Sequence, residues 1–352
     1  MKINYAIIGC GRIAKKHFEV YKNKFFKNLK LVAVCDKNIH LAENLLNETN
    51  NKVSIYKNSK VMLKNEKIDL LAILTESGDH FQNANLALNY VNNLIIEKPV
   101  TLKISDAIKL TDKAKKLNKK IFVVLQNRYN LPVIELKKLI KKNKIGKIVS
   151  SSVRVRWKRD QKYYNQAKWR GTWRYDGGAL TNQGIHHLDL LTWFLGPVKS
   201  VFAYSRKALA KIQCEDTLAC LLKFESGAIG TFEVTTAARP KDLEGSLSVL
   251  GEKGSIEIGG FAANKINYVF LKNKKTIKNL EKFSTNPPNV YGYGHYKFYD
   301  EVIKEILNKK NNAIKIDDAF YSLKMVHAIY MSIENKKEIF LNKKISSKKL
   351  GK

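Results

Sequence analysis

Cysteine is scarce in this chain, and Cys10, Cys35, Cys214 and Cys220 form no C-x-x-C pair and no zinc-spaced set with a histidine. Neither a disulfide framework nor a metal site is indicated, and a reducing, cytoplasmic compartment is expected. No apolar run approaches the length of a membrane span, and the strand-like run Ile3 to Ile8 opens the sequence without a signal-peptide pattern. No membrane partner is therefore expected. Acidic residues are also few: 31 Asp and Glu face 64 Lys and Arg, a formal charge of +33. Such a balance first suggests nucleic acid. The lysines are spread along the whole chain, however, with no RNP-like motif, zinc-finger spacing or leucine zipper beside them, so no specific nucleic-acid partner is expected. What survives is a positive field that favours anionic small molecules such as nucleotides. Internal repeats are absent as well.

What is present fits two domains: 352 residues, 44% of them hydrophobic. Asn4 to Ile8 reads as a buried strand, followed at once by Gly9-Cys10-Gly11-Arg12-Ile13-Ala14 and an amphipathic helix. In this G-x-G-x-x-A pattern the first glycine makes a tight turn and the second admits a pyrophosphate to the helix N-terminus. A second strand, Leu31 to Val34, ends in Asp36, a carboxylate placed for the hydroxyls of an adenosine ribose and repulsive to a 2′-phosphate. NAD is therefore expected over NADP. Strands and helices go on alternating through Leu70 to Leu74, Asn93 to Ile96 and Ile121 to Leu125, which predicts a parallel sheet covered on both faces. Thr75, Ser77 and His80 follow one strand at the ligand-binding edge, where they either touch cofactor or form a capping turn. Glu97-Lys98-Pro99 ends the next. A lysine emerging there can hold an alcohol oxygen or exchange a proton. The boundary is placed near Gln126, giving an NAD-binding Rossmann domain over 1–126 and an α+β domain over 127–352.

The second part reads as longer alternating strands with hairpin turns at Ser226-Gly227 and Gly251 to Gly254, hence an open, mainly antiparallel sheet. Its uncovered face suggests homo-oligomers, dimers or tetramers. The lysine-rich tail after Lys343 is expected to be disordered. Arg159 to Arg174 (RDQKYYNQAKWRGTWR) is dense in arginine and aromatics, which suits phosphate and a flat ring, or equally a subunit interface. Gly177 to Asp189 (GGALTNQGIHHLD) spaces Asn182, His186 and Asp189 on one helical face. His187 projects about 100° away from His186. The two glycines allow a backbone or ligand to approach closely. On this stretch alone His186 is as readily a buried, satisfied histidine as a catalytic one.

Taken together, GCGRIA, the EKP triplet at Glu97 and GGALTNQGIHHLD resemble the glucose-fructose oxidoreductase, inositol dehydrogenase and MocA (Gfo/Idh/MocA) family, along essentially the whole chain. VRVRW, the YY and WRGTW segments, ARPKDLEGS from Arg239, GEKGS and YGYGH are similar to the branch that oxidises C3 of UDP-2-acetamido-2-deoxyglucuronic acid. The resemblance implies an NAD-dependent dehydrogenase making a 3-keto sugar for an aminotransferase, in the biosynthesis of surface polysaccharide such as the O-antigen of lipopolysaccharide. It implies that Lys98 and His186 are catalytic. It also assigns Gly9, Gly11, Arg12, Ile13, Asp36, Thr75, Ser77, His80, Glu97, Lys98, Gln126, Trp169 and Arg170 to the cofactor. To the UDP-sugar it assigns Lys98, Arg128, Arg154, Arg156, Tyr163, Tyr164, Asn182, His186, Arg239, Tyr291 and His295. Some members of the branch recycle NADH with 2-oxoglutarate, though no residue here establishes it.

Many family members carry Asp four residues before the catalytic histidine, where this chain has Asn182, so the base falls to Lys98 or His186. Oxidising a secondary alcohol needs a base for the hydroxyl proton and an acceptor for the hydride. On one assignment His186 takes the proton while Lys98 holds the oxygen; the exchanged roles are equally compatible. Asp189, one turn on, either orients His186 or serves as a structural acid. Diphosphate and carboxylate charges on the substrate suit Arg128, Arg154, Arg156 and Arg170. Competing readings are a dehydrogenase of a free polyol and a non-catalytic NAD-binding protein. Replacing Lys98 by Met is expected to abolish turnover while NAD affinity, measured by titration, stays nearly unchanged; a variant with normal turnover would reject the assignment.

Overall fold

The computed structural model of the chain describes residues 2–47, 52–271, 282–285 and 292–352. They form two compact units, Met1–Val124 with His295–Phe320, and Leu125–Gly294 with Tyr321–Lys352. The first contains strands β1 (Ile3–Ile8), β2 (Leu29–Cys35), β3 (Ser54–Tyr56), β4 (Leu70–Ile73), β5 (Asn93–Ile96) and β6 (Lys120–Val123). They lie in the order β3-β2-β1-β4-β5-β6 with every neighbour parallel. Strands covered on both faces must be apolar along their length, as LLAI in β4 is. The linking helices are α1 (Arg12–Lys22), α2 (Ile39–Leu46), α3 (Ser59–Asn65), α4 (His80–Ala87) and α5 (Ile104–Lys116). Asn38 and Asn58 start α2 and α3 by accepting the N–H groups of His40 and Lys60. This is the doubly wound dinucleotide-binding order, with its reversal between β1 and β4.

The alternation read from the sequence passes over β3 and α3. β3 is a three-residue edge strand, pairing only with Ala33 to Cys35 of β2, and it has no apolar run to announce it. Residues 295–320, late in the chain, pack with this first unit. Phe298, Tyr299 and Val302 are buried there, and Val123 N–H donates to the Ile314 carbonyl at 3.1 Å.

The second unit holds α6 (Leu131–Lys141), β7 (Ile148–Arg156), α7 (Gln161–Tyr164) and a π-helical turn over Leu180–Gly184 that runs into α8 (Ile185–Leu195). Strands β8 (Val198–Arg206), β9 (Thr217–Phe224), β10 (Ile229–Thr235), β11 (Glu244–Gly251), β12 (Gly254–Gly259), β13 (Lys265–Leu271) and β14 (Ile339–Phe340) follow. Their order is β13-β12-β11-β7-β10-β9-β8-β14, antiparallel except for the parallel pair β7 and β10. The sheet is thus mainly antiparallel, as expected, and one parallel pair makes it mixed. Alternation along the strands separates two faces. Val153, Val155, Phe232, Val234 and Leu247 are buried on the face that meets α8, where a Cβ on Gly245 would lie 3.0 Å from the His187 ring. The other face exposes Tyr204, Leu221, Ile229 and Phe270. α8 is buried nearly all round, on its polar side as well as its apolar one. Each of its buried leucines contributes roughly 2 kcal/mol of apolar burial.

The two glycines before α8 do admit a close approach, and the approaching group is a side chain of this unit. A Cβ on Gly178 would stand 2.1 Å from the Glu215 carboxylate, and one on Gly177 (φ +78°) 2.6 Å from Thr181 Oγ1. Glu215 Oε1 accepts from Leu180 N–H and from Tyr330 Oη, both at 3.0 Å. Burial pushes this carboxyl up to about 7, against the hydrogen bonds that favour its charge. The tail is ordered, contrary to the expectation of disorder. Ser347 N–H donates to His327 Nδ1 (2.9 Å), Ser347 Oγ to Glu334 (2.6 Å) and Gly351 N–H to the Trp173 carbonyl (2.9 Å), while Leu350 is 1% exposed. Isoleucine and leucine spaced among the lysines supply the contacts that charge alone would not. Among the described residues no helix is long and apolar enough to cross a membrane.

Glu215 is a carboxyl whose pKa is raised on folding, so the stability it contributes is full below the unfolded value and is lost as pH rises toward about 7. Wild-type stability relative to Glu215→Gln is therefore expected to fall by roughly 3 kcal/mol between about pH 4.5 and pH 8, measured by denaturant unfolding. A pH-independent difference would refute a protonated Glu215.

Candidate active site

In the first unit the cofactor residues read from the sequence gather at one sheet edge. Gly9 leaves β1 with φ +92°, and a Cβ there would lie 2.7 Å from Leu74 C and Thr75 N, so the exits of β1 and β4 touch through bare backbone. Gly11 precedes α1 with no side-chain cap and with nothing within 4 Å of its would-be Cβ. No side chain caps the first turn of α1, so the N–H groups of Arg12 and Ile13 are the ones a dinucleotide phosphate would meet there, while Ala14 N–H donates to the Gly11 carbonyl at 3.1 Å. Asp36 follows β2 and accepts Cys10 N–H at 2.7 Å and Asn38 N–H at 2.8 Å, which seats its carboxylate against the glycine turn. Burial, and then the Asp36 charge, raise both neighbouring thiols, Cys35 to about 11, so they stay protonated. These residues fit NAD.

Thr75 and Ser77 leave β4 half-buried. His80 is buried and bridges backbone: Nδ1 lies 2.8 Å from the Pro99 carbonyl and Nε2 3.1 Å from that of Thr75. It ties the turn after β4 to the turn after β5. Glu97 is buried and Lys98 half-buried at the end of β5. The Lys98–Pro99 peptide is cis. His295, read as a substrate residue, is 1% exposed and stands with His17 and Glu97.

In the second unit several side chains read as functional from the sequence surround α8. Gln126 begins a short 3-10 turn over Gln126–Tyr129, and its Nε2 is 3.5 Å from His186 Nε2. Arg128, two residues on, makes a bidentate pair with Asp189, both contacts 2.7 Å, and Ser322 Oγ donates to Asp189 Oδ1 at 2.5 Å. Asp189 therefore fixes α8 to two distant segments, and Arg128 is engaged with it. Ser322 has no signal in the sequence. His187 faces elsewhere: its ring meets Trp157 edge-on at 5.8 Å, and burial pushes it down to about 4, so it is neutral.

Asn182 donates to Asp176 and accepts from Gln183 Nε2 at 2.7 Å. A carboxylate thus reaches Asn182 after all, from just before the glycine pair; an acid at that position was the signal available. Asp176 also accepts Gly171 N–H at 2.7 Å. The aromatic and arginine loop is internally stacked. The Arg170 guanidinium lies 4.4 Å from the Tyr163 ring and 4.6 Å from Trp169, and it donates to Tyr163 Oη at 2.6 Å. Tyr164 is buried, with its hydroxyl 2.9 Å from Thr236 Oγ1. A cavity of about 780 Å³ opens beside this loop, lined by Lys168, Arg170, Lys207 and Lys211 among others.

Arg154 and Arg156 stand on the sheet face turned away from α8, since Val155 between them packs toward it. Arg154 pairs with Glu244 (3.5 Å) and Glu257 (3.3 Å), and Arg156 with Glu233 (2.7 Å) and Glu244 (3.2 Å). Arg239 donates to the carbonyls of Thr236 and Ala238. Tyr291 lies outside the described residues.

Comparison with known proteins agrees with this geometry. Residues 3–125 match the oxidoreductase-family NAD-binding Rossmann fold, and residues 137–341 match the C-terminal alpha/beta domain of the same Gfo/Idh/MocA family. The chain is similar to the WlbA dehydrogenase of Chromobacterium violaceum, solved with NADH and UDP-GlcNAcA (34% identity, 96% of each chain, TM-score 0.89). The WlbA dehydrogenase of Bordetella pertussis, in complex with the same two molecules, is 32% identical over 96% of this chain and 97% of that one, with TM-score 0.90. D-glucoside 3-dehydrogenase of Escherichia coli is 24% identical over 94% of this chain and 95% of its own length. With a dinucleotide-binding sheet whose glycine turn fits NAD and both family domains matched in order, the chain belongs to the Gfo/Idh/MocA oxidoreductases and is an NAD-dependent member of that family.

Proposed function

We propose that the protein oxidises the C3 hydroxyl of UDP-2-acetamido-2-deoxyglucuronate to the 3-keto sugar, a substrate for amination in surface-polysaccharide assembly. The observation that carries this reading is nearly full-length similarity, at 34% and 32% identity, to two dehydrogenases solved with NADH and UDP-GlcNAcA. Matches to D-glucoside and myo-inositol dehydrogenases stand at 24% and 22%.

NAD, when bound, supplies the hydride acceptor. The chain's own residues do the rest. The glycine turn and the α1 N-terminus take the diphosphate, and Asp36 takes the adenosine ribose. His186, with Gln126 beside its Nε2, accepts the C3 hydroxyl proton, and Lys98 holds that oxygen and stabilises its developing charge. Arg170, stacked on Tyr163 and Trp169 at the edge of a cavity lined by lysines, offers fixed positive charge to a phosphate or carboxylate.

Incubation with NAD and UDP-GlcNAcA is expected to yield NADH and a product lighter by two hydrogens, which an added aminotransferase converts to the 3-amine. Neutral UDP-N-acetylglucosamine is expected to turn over far more slowly. Equal rates on the two sugars would remove the carboxylate from recognition, and oxidation of myo-inositol but neither nucleotide sugar would overturn the proposal.

A further inference from the structure

Four buried polar side chains of the first unit form one connected line ending at the backbone N–H of Lys98. Tyr5 on β1 and Tyr299 on the helix Gly294–Ile306 share a hydrogen bond between their hydroxyls at 2.7 Å. Tyr299 Oη lies 2.6 Å from His17 Nδ1, on α1. His17 Nε2 lies 3.0 Å from Glu97 Oε1, and Glu97 Oε2 accepts the N–H of Lys98 at 3.0 Å. His295 adds a second imidazole, 4.0 Å from Glu97 Oε1 and edge-on to the His17 ring at 5.5 Å. Tyr5, His17 and Tyr299 have no solvent exposure.

Buried polar groups cost stability unless every member is matched, so a line this long across four elements needs a use. Burial alone would raise the Glu97 carboxyl, but the imidazoles of His17 and His295 outweigh it and hold the group well below the usual carboxylate range. Glu97 is thus an ionised acceptor, clamped on one oxygen and holding the lysine backbone with the other. On the far side of Lys98, His80 holds the Pro99 carbonyl at 2.8 Å.

We propose that His17 and Tyr299, acting through Glu97, are positioning residues that fix the main chain of Lys98 and hence the reach of its amine. The proposal rests on Lys98 being catalytic, as the functional reading above holds. The same cluster also resembles a metal set, since His17, Glu97 and His295 bring ligand atoms within 4.8 Å of one another. A tetrahedral ion with bonds of about 2.0 to 2.1 Å would hold its ligand atoms roughly 3.3 Å apart. The 3.0 Å from His17 to Glu97 is hydrogen-bond distance instead, and the second Glu97 oxygen is committed to Lys98.

His17→Asn keeps an amide where Nδ1 meets Tyr299 but cannot reach Glu97, whereas His17→Gln retains a donor near the Nε2 position. His17→Asn is expected to lower kcat about tenfold or more with the NAD KM changed less than about threefold, and His17→Gln to recover most of the loss. Tyr299→Phe, which removes one oxygen at constant shape, is expected to fall between them. Leu110→Ala, a buried change on α5, supplies a destabilised control. Amide hydrogen exchange at Lys98 reads the clamp without substrate and is expected to quicken about tenfold in His17→Asn but not in the control. Unchanged kcat in His17→Asn, equal losses in the Asn and Gln variants, unaltered exchange at Lys98, or an equimolar metal removable by chelator would each overturn the proposal. If the wild-type protein leaves UDP-GlcNAcA untouched, the functional reading fails while the exchange comparison still decides the clamp.

Discussion

The buried pair between Arg128 and Asp189 is the constraint on which the second unit turns. It joins the turn after residue 125 to the middle of α8, and Ser322 brings in the helix Ile316–Asn335 at the same carboxylate. Breaking such a pair from one side leaves an uncompensated charge in the interior, at a cost of about 3 to 5 kcal/mol. The same geometry bears on the proposed chemistry. His186 lies three residues before Asp189 on the same helix, and Gln126 lies two before Arg128, so one ion pair sets the separation between the candidate base and its amide neighbour. The pair costs desolvation that an apolar contact would not, and it gives direction that an apolar contact could not.

Much of the first unit could be read from the sequence because its determinants are local. A continuous apolar run, a glycine turn and an amphipathic helix lie next to one another in the chain, so strand, turn and helix follow from neighbours alone. β3 escaped because three half-exposed edge residues owe their conformation to pairing with β2. In the second unit the distant partners defeated reading by spacing. The Gly177-Gly178 pair was rightly taken as a place of close approach, but Glu215 occupies it from 37 residues further on. Asp189 was assigned to orient His186 or to a structural role, and its carboxylate belongs to Arg128 and Ser322. The arginines of β7 drew attention for their charge, while the pleat that turns them away from α8 was implicit in the same alternation.

Two buried glutamates show how far burial alone is from fixing charge. Glu97 faces imidazoles and is held ionised, whereas Glu215 faces backbone and a tyrosine hydroxyl and rises to about 7. Both lose their water; only the first gains a countercharge. An ionised carboxylate is the acceptor a backbone clamp needs. A neutral carboxyl suits a packed position under a glycine pair.

The stacking around Trp193 carries a practical consequence. Its indole lies 5.2 Å from the Arg128 guanidinium and 4.8 Å from the Lys137 amine, and burial with the charges of Lys141 and Arg128 brings that amine down to about 8. One cation beside the ring is permanent, while the other switches off in mild alkali. Taken as the difference from a Trp193→Phe variant, which subtracts the other three tryptophans, the emission of this indole would be an internal optical gauge of the electric field next to α8.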